Sequence, residues 1–139
     1  MTKGMQETKI PIPVLVLWED ILLVTIFGVV DSKRAQELME TALARIWEVQ
    51  SRIIILDIRA VPSVDTAVAN HFIKISQATK LMGCQCIISG LSPAIAQTIA
   101  GLEIDLGELQ TRASLLEALE LALEMTGLEV VAKKKTAAK

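Results

Sequence analysis

The hydrophobic residues of this chain form short continuous runs, separated by stretches in which they recur at helical spacing. Near the start, two apolar runs at 14–17 and 21–27 are rich in β-branched residues and flank the short segment 18–20. This arrangement predicts a β-hairpin. Pro11 and Pro13 belong at the beginning of its first strand or at an edge, because proline has no amide hydrogen to donate to a neighbouring strand.

Two later runs, RIIILDI at 52–58 and CQCIIS at 84–89, are almost wholly apolar and predict central strands that are buried on both faces. The stretches between and after the strands predict four helices. Each helix is expected to begin at a side chain that accepts a free amide hydrogen of the first turn, namely Asp31 or Ser32, Asp65, Ser92 and Ser114. The core-facing positions predicted for the first two helices are Ala35, Leu38, Met39, Ala42, Leu43, Ile46 and Trp47, and Val68, Phe72, Ile75, Ala78, Thr79 and Met82.

The predicted element order is β-β-α-β-α-β-α-(β)-α, in which the last strand, within LGELQT, is brief. This order predicts an α/β fold, a single mixed β-sheet of about four to five strands packed with about four helices. We expect residues 10–128 to form one domain. Residues 1–9 are expected to be a disordered or extended N-terminus, and residues 129–139 a basic C-terminal tail.

Composition argues against several functional classes. A net charge of −2, 3% aromatic residues and no tyrosine argue against nucleic-acid binding. No apolar run reaches the ~18 residues of a membrane span, so no membrane partner is expected. Cys84 and Cys86 are expected to be reduced and buried in a cytoplasmic protein, and with the single His71 they do not complete a metal site. No catalytic triad or phosphate-binding glycine motif is present, so we expect no catalytic residue, no cofactor and no enzyme.

The pair Asp65-Thr66, in the stretch VPSVDTAVANHF, has two interpretations. In the first, Asp65 is an ordinary cap of the second helix and Thr66 is its first residue. In the second, Thr66 presents a hydroxyl to solvent, where the helix dipole and free amide hydrogens stabilise an attached phosphate. Such a phosphate adds nearly two negative charges beside Asp65, which would expel or re-orient a docked partner. The residues alone leave both interpretations open.

The segments DIRAVPSVDTAVANHFIKISQATKLMG and CQCIISGLSPAIAQTIAGLEIDL, with IPIPVL before them, resemble the STAS domain, the sulfate-transporter and anti-sigma-factor-antagonist fold. The resemblance spans residues 10–127 and is closer still to the stressosome scaffold proteins of the RsbR/RsbS type. It implies that a partner serine/threonine kinase phosphorylates Thr66, and that Thr98 is a second acceptor, as in RsbR-type members. The threonine at position 66 fits the RsbR type, whereas the few residues that precede the fold fit the shorter RsbS type, so the paralogue stays open.

The resemblance further implies a non-enzymatic regulatory scaffold that binds an RsbT-type switch kinase. Its other implied partners are paralogous STAS proteins or further copies of the chain, in a homo-oligomer or dimer. The implied partner-binding residues are Ser63, Val64, Asp65, Thr66, Asn70, Gly90 and Ser92. Two alternatives remain, a stand-alone anti-sigma-factor antagonist that acts through an anti-sigma kinase, and a small-ligand-binding STAS module.

Overall fold

The computed structural model describes residues 11–102 and 109–134. Its strands and helices follow the predicted order: β1 (Val14–Trp18), β2 (Ile21–Phe27), α1 (Ser32–Val49), β3 (Ile53–Ala60), α2 (Thr66–Leu81), β4 (Gln85–Ser89), α3 (Pro93–Gly101), β5 (Gln110–Arg112) and α4 (Leu115–Met125). Residues 1–9, and residues 135–139 of the expected basic tail, lie outside the described residues.

The strands form one mixed sheet in the order β1-β2-β3-β4-β5. β1 is antiparallel to β2, and every other neighbouring pair is parallel. Asp20 takes a positive φ of 63°, as a short hairpin turn requires. The predicted α/β fold, its hairpin and its mixed sheet are therefore confirmed, with the brief fifth strand included.

Helices cover both faces of the central strands, whose successive side chains point to opposite sides of the sheet. One face packs under α1, α2 and α3, and the other under α4. The first face is formed mainly by Leu22, Val24, Ile54, Leu56, Ile58, Cys86 and Ile88. The second is formed mainly by Ile21, Leu23, Ile53, Ile55 and Ile87. This double burial explains why β3 and β4 are almost continuously apolar.

Two helical positions predicted to face the core do not. Trp47 is 73% exposed and Met82 is 37% exposed. Trp47 lies about 100° further round α1 than the buried Ile46, because an α-helix has 3.6 residues per turn. Met82 is the C-cap of α2 and follows its last helical residue. The buried stripe of α1 is Ala35, Leu38, Ala42 and Ile46.

The four helices all begin at one edge of the sheet, which we call the carboxyl edge. The parallel strands β2, β3, β4 and β5 end there, and each is followed by a helix. The N-cap side chains each accept a hydrogen bond from the backbone N–H three residues further on, and they are Asp31, Asp65, Ser92 and Ser114. The predicted helix starts are confirmed, and they bring the candidate functional residues to the same edge.

Candidate functional site at the carboxyl edge

The start of α2 presents a hydroxyl group next to a capping carboxylate. Asp65 has the extended backbone of an N-cap, with φ −101° and ψ −174°. Its Oδ1 accepts a hydrogen bond of 2.9 Å from the backbone N–H of Val68. Thr66 is the first helical residue and is exposed. The capping interpretation of Asp65 is therefore correct, and it leaves the Thr66 hydroxyl at the surface in the first helical turn.

The loop before α2 is fixed by buried valines. Val61 and Val64 are each only 2% exposed, and the Val61 N–H donates a 2.9 Å hydrogen bond to the Ile58 carbonyl. Ser63, which lies between the two valines, is exposed. The apolar side chains hold this loop against the core, so that Ser63 and Thr66 project outward from a fixed support.

The start of α3 lies beside the start of α2, since β3 and β4 are neighbouring parallel strands. Ser92 is exposed, and its Oγ accepts a 3.2 Å hydrogen bond from the Ile95 N–H. Gly90 is buried and has a positive φ of 84°. The structure thus brings both loops implicated by the resemblance to adjacent positions on the carboxyl edge.

Asn70 and Thr98 lie further along the two helices, and both are exposed. The Thr98 hydroxyl donates a 3.0 Å hydrogen bond to the carbonyl of Ala94, one turn earlier in α3. A hydroxyl that donates to the carbonyl one turn earlier has its hydrogen bond within its own helix, and it bends that helix slightly. Thr66, at a helix start, and Thr98, inside a helix, therefore present their hydroxyl groups in different local geometries.

A polar pair that was not predicted from the sequence lies at the same edge. Asp57 and Ser89 are register partners in β3 and β4. The Ser89 hydroxyl donates a 2.7 Å hydrogen bond to Asp57 Oδ1. The signal in the sequence was a single polar residue near the end of each apolar run, in RIIILDI and in CQCIIS.

The two thiols are buried and unpaired, and both belong to the core beneath α1 and α2. Burial raises the pKa of Cys84 to about 12, partly opposed by a hydrogen bond with Ser51. Burial also raises the pKa of Cys86, as does the nearby Cys84. Both side chains are therefore neutral thiols near neutral pH, and act as small apolar residues in the core.

Neither a metal cluster nor a membrane helix occurs in the described part of the chain. Across residues 11–102 and 109–134, no three His, Cys, Asp or Glu side chains are grouped so that they could hold a metal ion. Across the same residues, no helix combines the length and the apolar character needed to cross a membrane. The chemistry offered by the carboxyl edge is a set of hydroxyl groups at or near helix starts.

Comparison with known proteins identifies the fold family. A STAS domain family model matches residues 13–118. The RsbT co-antagonist protein RsbRA of Bacillus subtilis (strain 168) is 39% identical over 119 residues, which cover 86% of this chain and 43% of RsbRA. The chain thus spans less than half the length of that relative.

Two solved structures agree with this assignment. A variant of RsbS from Moorella thermoacetica superposes with a TM-score of 0.70 at 27% identity, covering 83% of this chain and 97% of RsbS. A chain in a structure described as the molecular architecture of the stressosome, a signal integration and transduction hub, gives a TM-score of 0.68 at 25% identity, covering 84% of this chain and 100% of that one. The sheet, the helices and the matched residues lead to one conclusion: the chain belongs to the STAS domain family.

Proposed function

We propose that this chain is a non-enzymatic regulatory scaffold in a stress-signalling, partner-switching pathway. It binds a serine/threonine switch kinase of the RsbT type, which phosphorylates Thr66 and also Thr98. The observation that carries the proposal is the exposed Thr66 hydroxyl at the capped start of α2, next to the start of α3. The similarity to RsbRA, a protein named for its co-antagonism of RsbT, indicates the kind of kinase.

The docking surface of the kinase is the exposed part of the carboxyl edge around the starts of α2 and α3. The exposed residues of this surface are Ser63, Asp65, Thr66, Asn70 and Ser92. Val64 and Gly90 are buried and act from beneath, by fixing the two loops.

Phosphorylation changes the charge of this surface while the fold is kept. The Thr66 hydroxyl oxygen attacks the γ-phosphorus of ATP, ADP leaves, and the hydroxyl proton is released. The new phosphate lies at the positive end of the α2 dipole, where unpaired backbone N–H groups stabilise it. It also places nearly two negative charges next to the carboxylate of Asp65. A kinase that docks on the neutral hydroxyl is repelled by the product, and it dissociates to act on another partner.

The scaffold role requires association with further STAS domains, either paralogues or copies of this chain. Support comes from the similarity to a chain of the stressosome structure, whose whole length is covered. Size-exclusion chromatography separates this role from that of a stand-alone anti-sigma-factor antagonist. A large particle with paralogous partners supports the scaffold, whereas a small one-to-one complex with a kinase supports the antagonist.

The direct test is incubation with an RsbT-type kinase and ATP, followed by mass spectrometry of the unsubstituted chain, Thr66→Ala and Thr98→Ala. We expect phosphate on residue 66 that is absent only in Thr66→Ala. Phosphate on residue 98 is expected to disappear only in Thr98→Ala. An active kinase that leaves both threonines of the folded chain unmodified would contradict the proposal and return Asp65-Thr66 to a purely structural cap.

A small-ligand-binding function is favoured by one specific observation. A cavity of about 230 Å³ lies between α2, α3 and the sheet, and its lining includes Ile58, Phe72, Ile88, Leu91, Ile99 and Thr111. Its apolar lining suits a small apolar molecule, and the lining residues named here offer no charged group to bind the phosphates of a nucleoside triphosphate. A ligand of the native state must raise the melting temperature. Thermal unfolding with indole and with ATP therefore tests this second function, and an increase with indole alone would support it.

A further inference from the structure

Asp57 and Ser89 form a polar pair in the middle of the sheet, at the end of β4 and three residues before the end of β3. Ser89 is fully buried and Asp57 is half-buried, and the Ser89 hydroxyl donates a 2.7 Å hydrogen bond to Asp57 Oδ1. An apolar pair of similar volume would fill this position without removing a carboxylate from water. The polar pair is therefore not needed merely to fill the space between the two strands.

The next residue, Gly90, brings the loop after β4 into direct contact with the end of β3. Its φ of +84° lies in the left-handed region. A Cβ atom at this position would be 2.6 Å from the backbone nitrogen of Arg59 and 2.7 Å from Asp57 Oδ1. Both distances are too short for any side chain, and the backbone of Arg59 has little freedom to move away. The Asp57 carboxylate thus contacts both Ser89 and Gly90, and we call these three residues the edge joint.

The edge joint ties together the two loops that lead to the proposed docking surface. Along one loop, Asp65 follows Arg59 by six positions, with the buried Val64 just before it. Along the other loop, Ser92 follows Gly90 by two positions. Because these connections are short and anchored, a shift at the edge joint moves the start of α2 relative to the start of α3.

From this geometry we infer that Asp57, Ser89 and Gly90 are positioning residues for kinase recognition. They hold Thr66 and Ser92 at a fixed relative position, so that one kinase molecule contacts both helix starts at once. The inference rests on the proposed function, and it adds that recognition of Thr66 depends on residues beneath the surface. Ser89 and Gly90 are buried, and they act on the kinase only through the loops they hold.

Gly90→Ala tests this inference, with Gly83→Ala as the matched control. Gly83 has nearly the same φ, +80°, but no atom lies within 4 Å of a Cβ added there. Both substitutions therefore carry the strain of a positive φ, and only Gly90→Ala pushes the two loops apart. The measurements are KM and kcat for phosphorylation of Thr66 in the full chain, with melting temperature as a check on folding.

We expect Gly90→Ala to raise KM by roughly tenfold or more, with a much smaller change in kcat, because docking is misaligned while the α2 start keeps its local geometry. Gly83→Ala should keep the KM of the unsubstituted chain at a similar melting temperature. Equal KM values for all three proteins would overturn the inference and leave the proposed function intact. A rise in KM for both glycine variants would also overturn it, since general destabilisation would then be the cause. An unsubstituted chain that takes up no phosphate overturns both proposals.

Asp57→Ala and Asp57→Asn provide a second test in case Gly90→Ala does not fold. Asn keeps an oxygen that accepts the Ser89 hydrogen bond, whereas Ala leaves that buried hydroxyl without its partner. We expect a raised KM in Asp57→Ala and recovery to within about twofold of the unsubstituted value in Asp57→Asn. The same KM in both variants, at the unsubstituted value, would count against a positioning role.

Discussion

Two helix starts at the carboxyl edge are nearly identical in sequence, Val30-Asp31-Ser32 before α1 and Val64-Asp65-Thr66 before α2. Their geometry is nearly identical as well. Asp31 has φ −95° and ψ −179°, and Asp65 has φ −101° and ψ −174°. The carboxylate of each accepts a hydrogen bond from the backbone N–H three residues further on, at 2.7 Å in α1 and 2.9 Å in α2. In both cases a buried valine precedes the cap and an exposed hydroxyl follows it.

The two starts differ in what surrounds them. Lys33 and Arg34 follow Ser32, whose Oγ lies 3.5 Å from His71 Nε2 on α2. Ala67 and Val68 follow Thr66. β2, which leads to α1, lies between the hairpin strand β1 and β3, whereas β3, which leads to α2, lies between β2 and β4, which leads to α3. Local geometry is shared, so it cannot by itself distinguish a phosphoacceptor from a helix cap. The neighbouring elements must do so.

The largest expected effect is the choice of acceptor by the kinase. We expect phosphate on Thr66 and none on Ser32, and Ser32→Ala should leave the uptake unchanged. The double variant Lys33→Ala/Arg34→Val gives α1 the flanking residues of α2 and should still leave Ser32 unmodified, since the α3 start is not beside it. Mass spectrometry of the kinase-treated proteins measures this. Phosphate on Ser32 in the double variant would show that flanking sequence, and not tertiary position, selects the site.

The buried valines should contribute similarly to stability but differently to phosphorylation. Val30→Ala and Val64→Ala should each lower the free energy of unfolding by about 2 kcal/mol, through lost apolar burial and a small cavity. Urea titration measures this loss. Val29 is 78% exposed, so Val29→Ala is a control that should have almost no effect on stability. Only Val64→Ala should also slow phosphorylation of Thr66. An equal slowing in Val30→Ala would mean that overall stability, and not the support of the α2 start, limits the reaction.

Removing either cap should have a smaller and nearly equal effect. Asp31→Ala and Asp65→Ala should each lower the free energy of unfolding by about 1 kcal/mol, because one amide hydrogen of the first turn loses its partner. Asn is also a good cap, so Asp31→Asn and Asp65→Asn serve as controls and should stay within a few tenths of a kcal/mol. Chemical denaturation compares the four variants. A loss of stability in only one of the two alanine variants would show that the two caps differ in strength despite their shared geometry.

The smallest expected effect is that of a single acidic substitution at each hydroxyl position. Ser32→Glu should stabilise the fold by up to about 0.5 kcal/mol, since the helix dipole and the nearby Lys33 and Arg34 favour a negative charge. Thr66→Glu should stabilise by less, because the cap carboxylate repels the new charge at both positions, but the residues after Thr66 are the uncharged Ala67 and Val68. Unfolding free energies at low salt and in 1 M salt separate the electrostatic effect from a packing effect. The difference in stability between the two variants should shrink as salt screens the charges. A difference that persists in 1 M salt would indicate a packing effect instead.

Much of the fold was predictable because it depends on local chemistry. Apolar runs, helical spacing and capping side chains are properties of a few neighbouring residues, and they predicted the hairpin, the order of elements along the chain and the four N-caps. The errors had an equally local origin. Trp47 was assigned to the core by periodicity, but the stripe that meets the sheet ends with Ile46, and α1 is exposed at the next position.

The candidate site was only partly predictable. Asp65 and Thr66 were evident as a helix start, whereas their grouping with Gly90 and Ser92 came only from the family resemblance. The pairing of Asp57 with Ser89 was not evident, because it depends on the register between strands 32 positions apart in the chain. A shift of one residue in that register would have placed the two side chains on opposite faces.

The sequence by itself determined the element order, the helix caps and the exposed hydroxyl beside Asp65, since each follows from the conformational preferences of adjacent residues. Only the tertiary structure decided that Asp31-Ser32 and Asp65-Thr66, so similar locally, have different neighbours. It also decided that Gly90 must lack a side chain, because the backbone of Arg59 and the carboxylate of Asp57 occupy the space where a Cβ would lie. Contacts between distant segments arise from strand register and packing, which no short stretch of the chain encodes.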